Sequence, residues 1–222
     1  MKNYSVYCFS YNNPGRYERM NSRFHALDIS VNWVPAVSHD DHRIEKSDDA
    51  RTQSIMYGHL DMIRAFLNSP DEYGVFCEDD VHIRRDFTGL MSQAIEAYDR
   101  LGLDVMMLGY LTNYKPITYN IHSEHYLISQ PLAILSYKDD VWGAQMYMCN
   151  RVAAQKILDA FPRSSAMSTP FGADWTITKW GKRALVYPML AVEEGAIQTE
   201  SEIQSYFHTM CSHTHYDPAV YL

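Results

Sequence analysis

The chain has 222 residues, 46% of them hydrophobic and 21% charged, the balance of a packed globular protein and not of a disordered one. Its 19 basic against 27 acidic side chains give a formal net charge of −8, which argues against nucleic acid as a partner. No run has the length and apolarity of a membrane span, and the opening MKNYSVYCFSYNNPGR holds too short an apolar run for a signal peptide, so a soluble, cytoplasmic chain is expected.

Residues 5–9 read as a first strand, closed by the turn signal Asn12-Asn13-Pro14-Gly15. A helix follows over 16–27, then a second strand over 31–37 that runs out at Ser38-His39-Asp40-Asp41. The charged stretch 39–49 reads as loop. Over 52–67 the apolar residues Ile55, Met56, Leu60, Ile63, Phe66 and Leu67 recur at helical spacing, and the pattern stops at Asn68-Ser69-Pro70. Residues 73–77 form a short buried strand, 87–101 an amphipathic helix and 104–108 another strand. The Tyr-, His- and Asn-rich stretch 109–128 is expected to be irregular. Strands at 132–136 and 145–149, a helix at 152–161, a helical turn at 176–179 and a strand at 183–188 complete the pattern. No repeat, low-complexity tract or linker divides the chain. Strand–helix alternation therefore predicts one α/β domain over 1–222 with a mostly parallel sheet. Cys8, Cys77, Cys149 and Cys211 lie far apart without a C-x-x-C pair and read as buried free thiols.

The strongest local signal is Glu78-Asp79-Asp80, directly after Tyr73-Gly74-Val75-Phe76-Cys77. A buried strand delivers three carboxylates to its carboxyl end, where open α/β sheets bind their ligands. Side by side, such acids repel one another and hold their protons more tightly unless a cation or donors compensate. A hard divalent ion would remove that cost and keep open positions for substrate phosphates. The competing reading, a solvated acidic turn, is disfavoured by the apolar run in front of it. Asp174, in Phe171-Gly172-Ala173-Asp174-Trp175, is the second acid of interest, because Gly and Ala permit close approach and Trp offers a platform for a sugar face. Its competing reading is the N-cap of the helical turn that follows.

Phe76-Cys77-Glu78-Asp79-Asp80-Val81 resembles the acidic D-x-D-like motif of nucleotide-sugar glycosyltransferases with the GT-A fold, especially the E-D-D-V of glycosyltransferase family 25. Gly58-His59-Leu60 is similar to that family's Ser-His-Leu, with glycine in place of serine. Asp104-Val105-Met106-Met107-Leu108-Gly109 resembles its strand of aspartate, apolar residues and leucine-glycine. Residues 143–158 are similar to its Gly-x-x-x-Tyr segment, and Gly172-Ala173-Asp174 to its downstream aspartate. Tyr187-Pro188 and Glu200-Ser201-Glu202-Ile203 resemble its terminal elements, so the likeness spans about residues 5–203. A compact chain opening with Phe9-Ser10-Tyr11-Asn12-Asn13 is also similar to the small chlorella-virus glycosyltransferases that build capsid glycans.

The resemblance implies a single GT-A (Rossmann-like) domain, a central mostly parallel mixed sheet flanked by helices, with a nucleotide-binding half at about 1–110 and an acceptor-binding half at about 111–222. It implies metal-dependent transfer of a sugar from a UDP-sugar to a glycan or glycoprotein acceptor, in the host cytoplasm if viral. Mn²⁺ or Mg²⁺ held by carboxylates would stabilise the leaving diphosphate. On the family pattern Asp80 is the first metal ligand, Glu78 is linked to ribose or metal, and Asp79 faces the donor sugar. GT-A enzymes often add a histidine near the carboxyl terminus, which points here to His208, placed as at a strand end, or to His213 of the His213-x-His215 pair. The first strand end and its turn, Phe9-Ser10-Tyr11-Asn12-Asn13, would hold the base, with Tyr11 stacking on uracil and Asn12 bonding its edge. Arg16 and Arg51 are candidates for the diphosphate, Ser38 and Asp40 for the nucleoside. Asp174 would be the general base of an inverting enzyme or a sugar-binding group of a retaining one. The alternatives are a metal-dependent nucleotidyltransferase, a glycosidase using Glu78 and Asp174, and a metal-independent carbohydrate-binding module. The first lacks a G-x-x-x-x-G-K-[ST] loop, the second would want two separated acids, and the third has no need of Glu78-Asp79-Asp80.

Overall fold

The computed structural model describes residues 3–45, 49–116, 125–129, 131–195 and 202–222. The amino-terminal half alternates β1 (Tyr4–Ser10), α1 (Pro14–Ala26), β2 (Val31–Pro35), α2 (Ala50–Leu67), β3 (Tyr73–Cys77), β4 (Val81–Ile83), α3 (Phe87–Leu101) and β5 (Val105–Leu111). Then come β6 (His125–Ser129), β7 (Leu132–Leu135), β8 (Trp142–Asn150), α4 (Arg151–Ala160), β9 (Arg183–Tyr187), β10 (Ala191–Glu193) and α5 (Glu202–His215). Eight strands form one mixed sheet in the order β2-β1-β3-β8-β5-β9-β7-β6. β1 pairs in parallel with β2 and β3, and β5 with β9, while β8 runs antiparallel to both β3 and β5. β7 opposes β9 and β6. All strands but β7 and β8 therefore run the same way, which makes the sheet mostly parallel in direction, as expected. No helix among the described residues is long and apolar enough to cross a membrane.

Period-two alternation divides each central strand between two cores. Val6 and Cys8 of β1 face Met20 and Phe24 of α1 and Phe87 and Met91 of α3, whereas Tyr7 and Phe9 join Leu60 and Ile63 of α2 and Ala154 and Ile157 of α4. With both faces covered, β3 and β5 are buried along their whole length, which is why they read as continuous apolar runs. Local chemistry sets the helix starts. The Asn13 side chain accepts from the Arg16 amide ahead of Pro14 at the start of α1, and Asp49 accepts from the amides of Arg51 and Thr52 at the start of α2. Asn150 caps α4 in the same way, and Gly102, in the left-handed region at φ 59°, closes α3.

The elements missed by the sequence, β4 apart, lie in the second half. The stretch expected to be irregular contains the end of β5 and the strand β6, while residues 117–124 and the matched Glu200-Ser201 lie outside the described residues. His208 stands in the helix α5, not at a strand end. β4 and β10 form a separate antiparallel ribbon in which Glu193 sits opposite Val81. The ribbon is tied to the main sheet where the Leu190 amide donates to the Leu108 carbonyl at 2.7 Å. The end of the chain is tied to it as well, because the Leu222 amide donates to the Ile83 carbonyl at 2.8 Å.

Gly109 permits this packing, since a Cβ there would lie 2.7 Å from the backbone oxygen of Ala191. Gly109→Ala must push β10 off β5, and the expected cost is about 1–3 kcal/mol in urea unfolding. An unchanged midpoint would mean that β10 does not rest on β5.

Candidate functional site

Because β1, β2 and β3 are parallel, their carboxyl ends lie on one edge of the sheet, and the turns that leave them collect there. After β3 the Glu78 amide still donates to the Gln145 carbonyl at 2.9 Å, so the extended path continues one residue past the strand. Alternation then sends Glu78 to the α2 side, opposite to Cys77. There its Oε1 lies 3.3 Å from Nε2 of the fully buried His59, whose Nδ1 lies 3.3 Å from the Tyr147 hydroxyl.

The next two acids are buried, and they are partnered differently. Asp79 has both oxygens engaged, one by the Ser10 hydroxyl and the other by Arg16 at 3.2 Å. Asp80 takes the same Arg16 nitrogen at 3.1 Å on Oδ2, while its Oδ1 is buried with no hydrogen-bond partner. The ribbon brings Glu193 to this group, paired through Oε2 with His208 Nδ1 at 2.6 Å. Glu194 beside it is held by Arg19 through two nitrogens, at 3.2 and 3.0 Å, and by Arg23 at 2.6 Å.

Burial and mutual repulsion dominate the electrostatics. Glu78 is pushed up to about 7, first by burial and then by the charges of Glu193 and Asp79. Burial, with Glu78 and Glu193 behind it, holds the Asp80 carboxyl well above the ordinary range against the pull of Arg16. Asp174 is raised to about 6 by burial and by Glu78. His59 is lowered to about 4 because burial disfavours its cation, although the Asp174 charge works the other way. His208 is raised chiefly by its hydrogen bond to Glu193. For Glu194 burial is the largest influence but the arginine hydrogen bonds win, and its carboxyl stays below the usual value.

Asp174 lies inside a 3-10 turn (Ala173–Trp175) whose N-cap is Gly172, and the next turn has Thr176 as its N-cap, so Asp174 caps neither. Trp175 next to it is 47% exposed and packs edge-to-face on Trp142 at 4.6 Å, with Lys179 Nζ 3.6 Å from the centre of the Trp142 ring. Gly172 lets this turn approach α2, for a Cβ there would meet the Thr52 methyl at 2.8 Å.

The structure brings together Glu78, Asp79, Asp80, Arg16, Asp174 and His208 from the residues singled out in the sequence. Tyr11 is exposed at the same edge, its ring stacked on His39 at 5.1 Å, and Asn12 turns the chain in the left-handed region at φ 46°, which asparagine tolerates. Phe9 is buried beneath, edge-on to His59 at 5.3 Å, and so supports the edge without facing solvent. Ser38 and Asp40 are exposed in the turn after β2, where the Asp40 amide donates to the Ser38 hydroxyl. Arg51 is exposed in the first turn of α2, and its charge favours ionisation of Glu78. His213 is exposed on α5 and does not join His208 at Glu193. Sequence reasoning missed Glu193 and Glu194, although the signal was the one that found Glu78: acids directly after the apolar run Leu190-Ala191-Val192.

The donors suit a hard divalent ion, being carboxylate oxygens with one imidazole, and the partnerless Asp80 Oδ1 is the atom such an ion would satisfy. No three His, Cys, Asp or Glu side chains among the described residues converge at metal-ligand spacing, and the cation between Asp79 and Asp80 is Arg16.

No protein-family model matches the chain, and no curated protein sequence matches it. Similar solved structures include residues 1–349 of S. aureus TarS, at 12% identity and TM-score 0.49, covering 88% of this chain and 61% of that one. CMP:2-keto-3-deoxy-manno-octonic acid synthetase complexed with CTP matches at 10% identity and TM-score 0.40, covering 73% and 80%. Mannose-1-phosphate geranyltransferase from Thermus thermophilus matches at 12% and 0.44, covering 84% and 74%. The chain thus spans less than two thirds of the TarS fragment.

Glu78 binds its proton more tightly in the folded chain than at the ordinary value of 4.5, so the folded state holds more protons than the unfolded one between pH 4.5 and about 7. Its contribution to stability is present below that window and is lost as the pH rises through it. Glu78→Gln removes the loss. Without divalent ions, E78Q should gain roughly 1–3 kcal/mol on its parent between pH 5 and pH 8 in urea unfolding. Parallel pH profiles for the two chains would mean that Glu78 ionises as an ordinary surface acid.

Proposed function

We propose that this chain is a metal-dependent glycosyltransferase of the GT-A type that moves a sugar from a UDP-sugar to a glycan or glycoprotein acceptor, in the host cytoplasm and in the manner of the enzymes that build viral capsid glycans. The observation that carries this reading is the turn after β3, where desolvated carboxylates meet at the carboxyl edge of parallel strands and Asp80 Oδ1 has no partner. A cost of that kind is tolerated where a ligand relieves it.

Asp80 and Glu78 would hold Mn²⁺ or Mg²⁺, with Glu193 and its partner His208 as further candidate ligands. The ion, when bound, supplies positive charge against the leaving diphosphate. Tyr11 and Asn12 bind the uracil, Ser38 and Asp40 the nucleoside, and Arg51 the phosphates from the start of α2. His59, neutral at working pH, fixes the Glu78 carboxyl through Nε2. Asp79, held by the Ser10 hydroxyl, orients the donor sugar. Asp174, with a carboxyl near 6, is matched to proton transfer close to neutrality. In an inverting reaction it takes the acceptor hydroxyl proton while that oxygen bonds to the anomeric carbon and the bond to UDP breaks. In a retaining one it holds the sugar. The exposed face of Trp175 lies beside it for the acceptor ring.

Calorimetric titration should show UDP binding in the presence of Mn²⁺, with GDP weaker by roughly tenfold or more. Asp80→Ala should abolish the Mn²⁺-dependent part and the rise in melting temperature that UDP and Mn²⁺ produce together. Equal affinity for GDP counts against the UDP-sugar assignment, and a UDP complex indifferent to Mn²⁺ sinks the metal-dependent reading.

Asp174→Asn keeps the shape of the side chain and removes its basicity. Donor affinity should stay within a few-fold of the parent while sugar transfer falls by ~10²–10⁴. Transfer at the parental rate would take Asp174 out of the site.

A further inference from the structure

We infer that Arg16 is a resident counter-cation, standing between Asp79 and Asp80 until a diphosphate draws it away, so that the site takes up nucleotide and divalent ion together and resists the ion alone. The inference deepens the proposed function and rests on its metal site.

Three observations carry it. A single guanidinium nitrogen, Nη1, is shared by two carboxylates, at 3.2 Å from Asp79 Oδ1 and 3.1 Å from Asp80 Oδ2. The strongest arginine–carboxylate geometry is the fork of two parallel hydrogen bonds, as Arg19 takes Glu194 at 3.2 and 3.0 Å. Arg16 has that fork with neither acid. Second, the pairing leaves Asp80 half satisfied, since Oδ1 is buried without a partner in a residue only 5% exposed. A cation that approached both oxygens of Asp80 would have to displace Arg16. Third, Arg16 has somewhere to go. Its side chain is 28% exposed on the first turn of α1, and the dipole of that helix start favours an arriving anion.

A divalent ion arriving alone must break both Arg16 contacts and leaves the guanidinium without a partner. The same ion arriving with a diphosphate supplies one, because phosphate oxygens accept the guanidinium fork in the geometry that Asp79 and Asp80 deny it. Arg16 is therefore a positioning residue that converts two binding events into one, and by linkage each ligand strengthens the other by the same factor.

The test is the affinity for Mn²⁺ alone, read from the paramagnetic resonance signal of the free ion, for the parent and Arg16→Gln. R16Q should bind Mn²⁺ alone tighter by roughly tenfold or more, the worth of releasing charge-assisted contacts. Its affinity for UDP at saturating Mn²⁺ should fall, since the phosphates lose their arginine. The gain should vanish in R16Q carrying Asp80→Asn, and the rise in melting temperature with Mn²⁺ should follow the same order, which controls for misfolding. Opposite signs for ion and nucleotide are the signature. Weaker UDP binding with unchanged Mn²⁺ affinity makes Arg16 a phosphate ligand and nothing more, and overturns the inference while the proposed function stands. Mn²⁺ binding by neither chain, alone or with UDP, overturns both.

Discussion

The arrangement depends on one constraint: Glu78, Asp80 and Asp174 are desolvated at one edge of the sheet and hold their protons more tightly there, through burial first and then through the charges of neighbouring acids, Glu193 among them. Left alone they would drive the edge apart or draw in water. The chain instead surrounds them with cationic and neutral partners at graded strength. Arg19 and Arg23 neutralise Glu194 outright, His208 answers Glu193, and His59 gives Glu78 a partner too buried to carry much charge of its own.

The scaffold makes that density unavoidable. β8 runs against both neighbours and holds the backbone extended through Glu78, so alternation, and not a flexible loop, decides that this side chain meets α2. The β4–β10 ribbon leaves the acidic turn at Val81 and returns with Glu193 facing that same residue. Two acidic stretches more than a hundred positions apart in sequence thereby become neighbours through one short antiparallel pairing. The absence of a side chain at Gly109 lets the ribbon lie against the main sheet.

How much of this was legible follows from the range of each signal. β3 and α3 were read with their observed bounds, because a five-residue apolar run and a complete helical stripe between breakers are local patterns. The first half of the sheet follows from such patterns, and Glu78-Asp79-Asp80 could be placed at its edge because they follow the apolar run 73–77 directly. The β4–β10 ribbon could not be read, since each of its strands has three residues and gains its identity only from the other. Glu193 was lost with it. In α5 the run Tyr206-Phe207-His208 looks like a strand end, but its place is fixed by contacts such as His215 Nε2 with the Thr112 carbonyl at 3.0 Å, and no local pattern announces them. Asp174 was found by its neighbours, yet that it caps neither turn is a matter of backbone geometry alone.

The buried thiols bear on how this edge moves. Cys8 and Cys77 are register neighbours on adjacent strands, both free and both under the layer formed by α1 and α3, and Cys77 immediately precedes the acidic turn. Cys149 is equally buried but lies under α2 and α4 on the opposite face. A thiol reagent in bulk solvent meets these sulfurs only when the layer above them lifts. The chain thus carries a separate chemical clock for each side of its sheet, and the order in which the three sulfurs are labelled tells which wall of the site opens first.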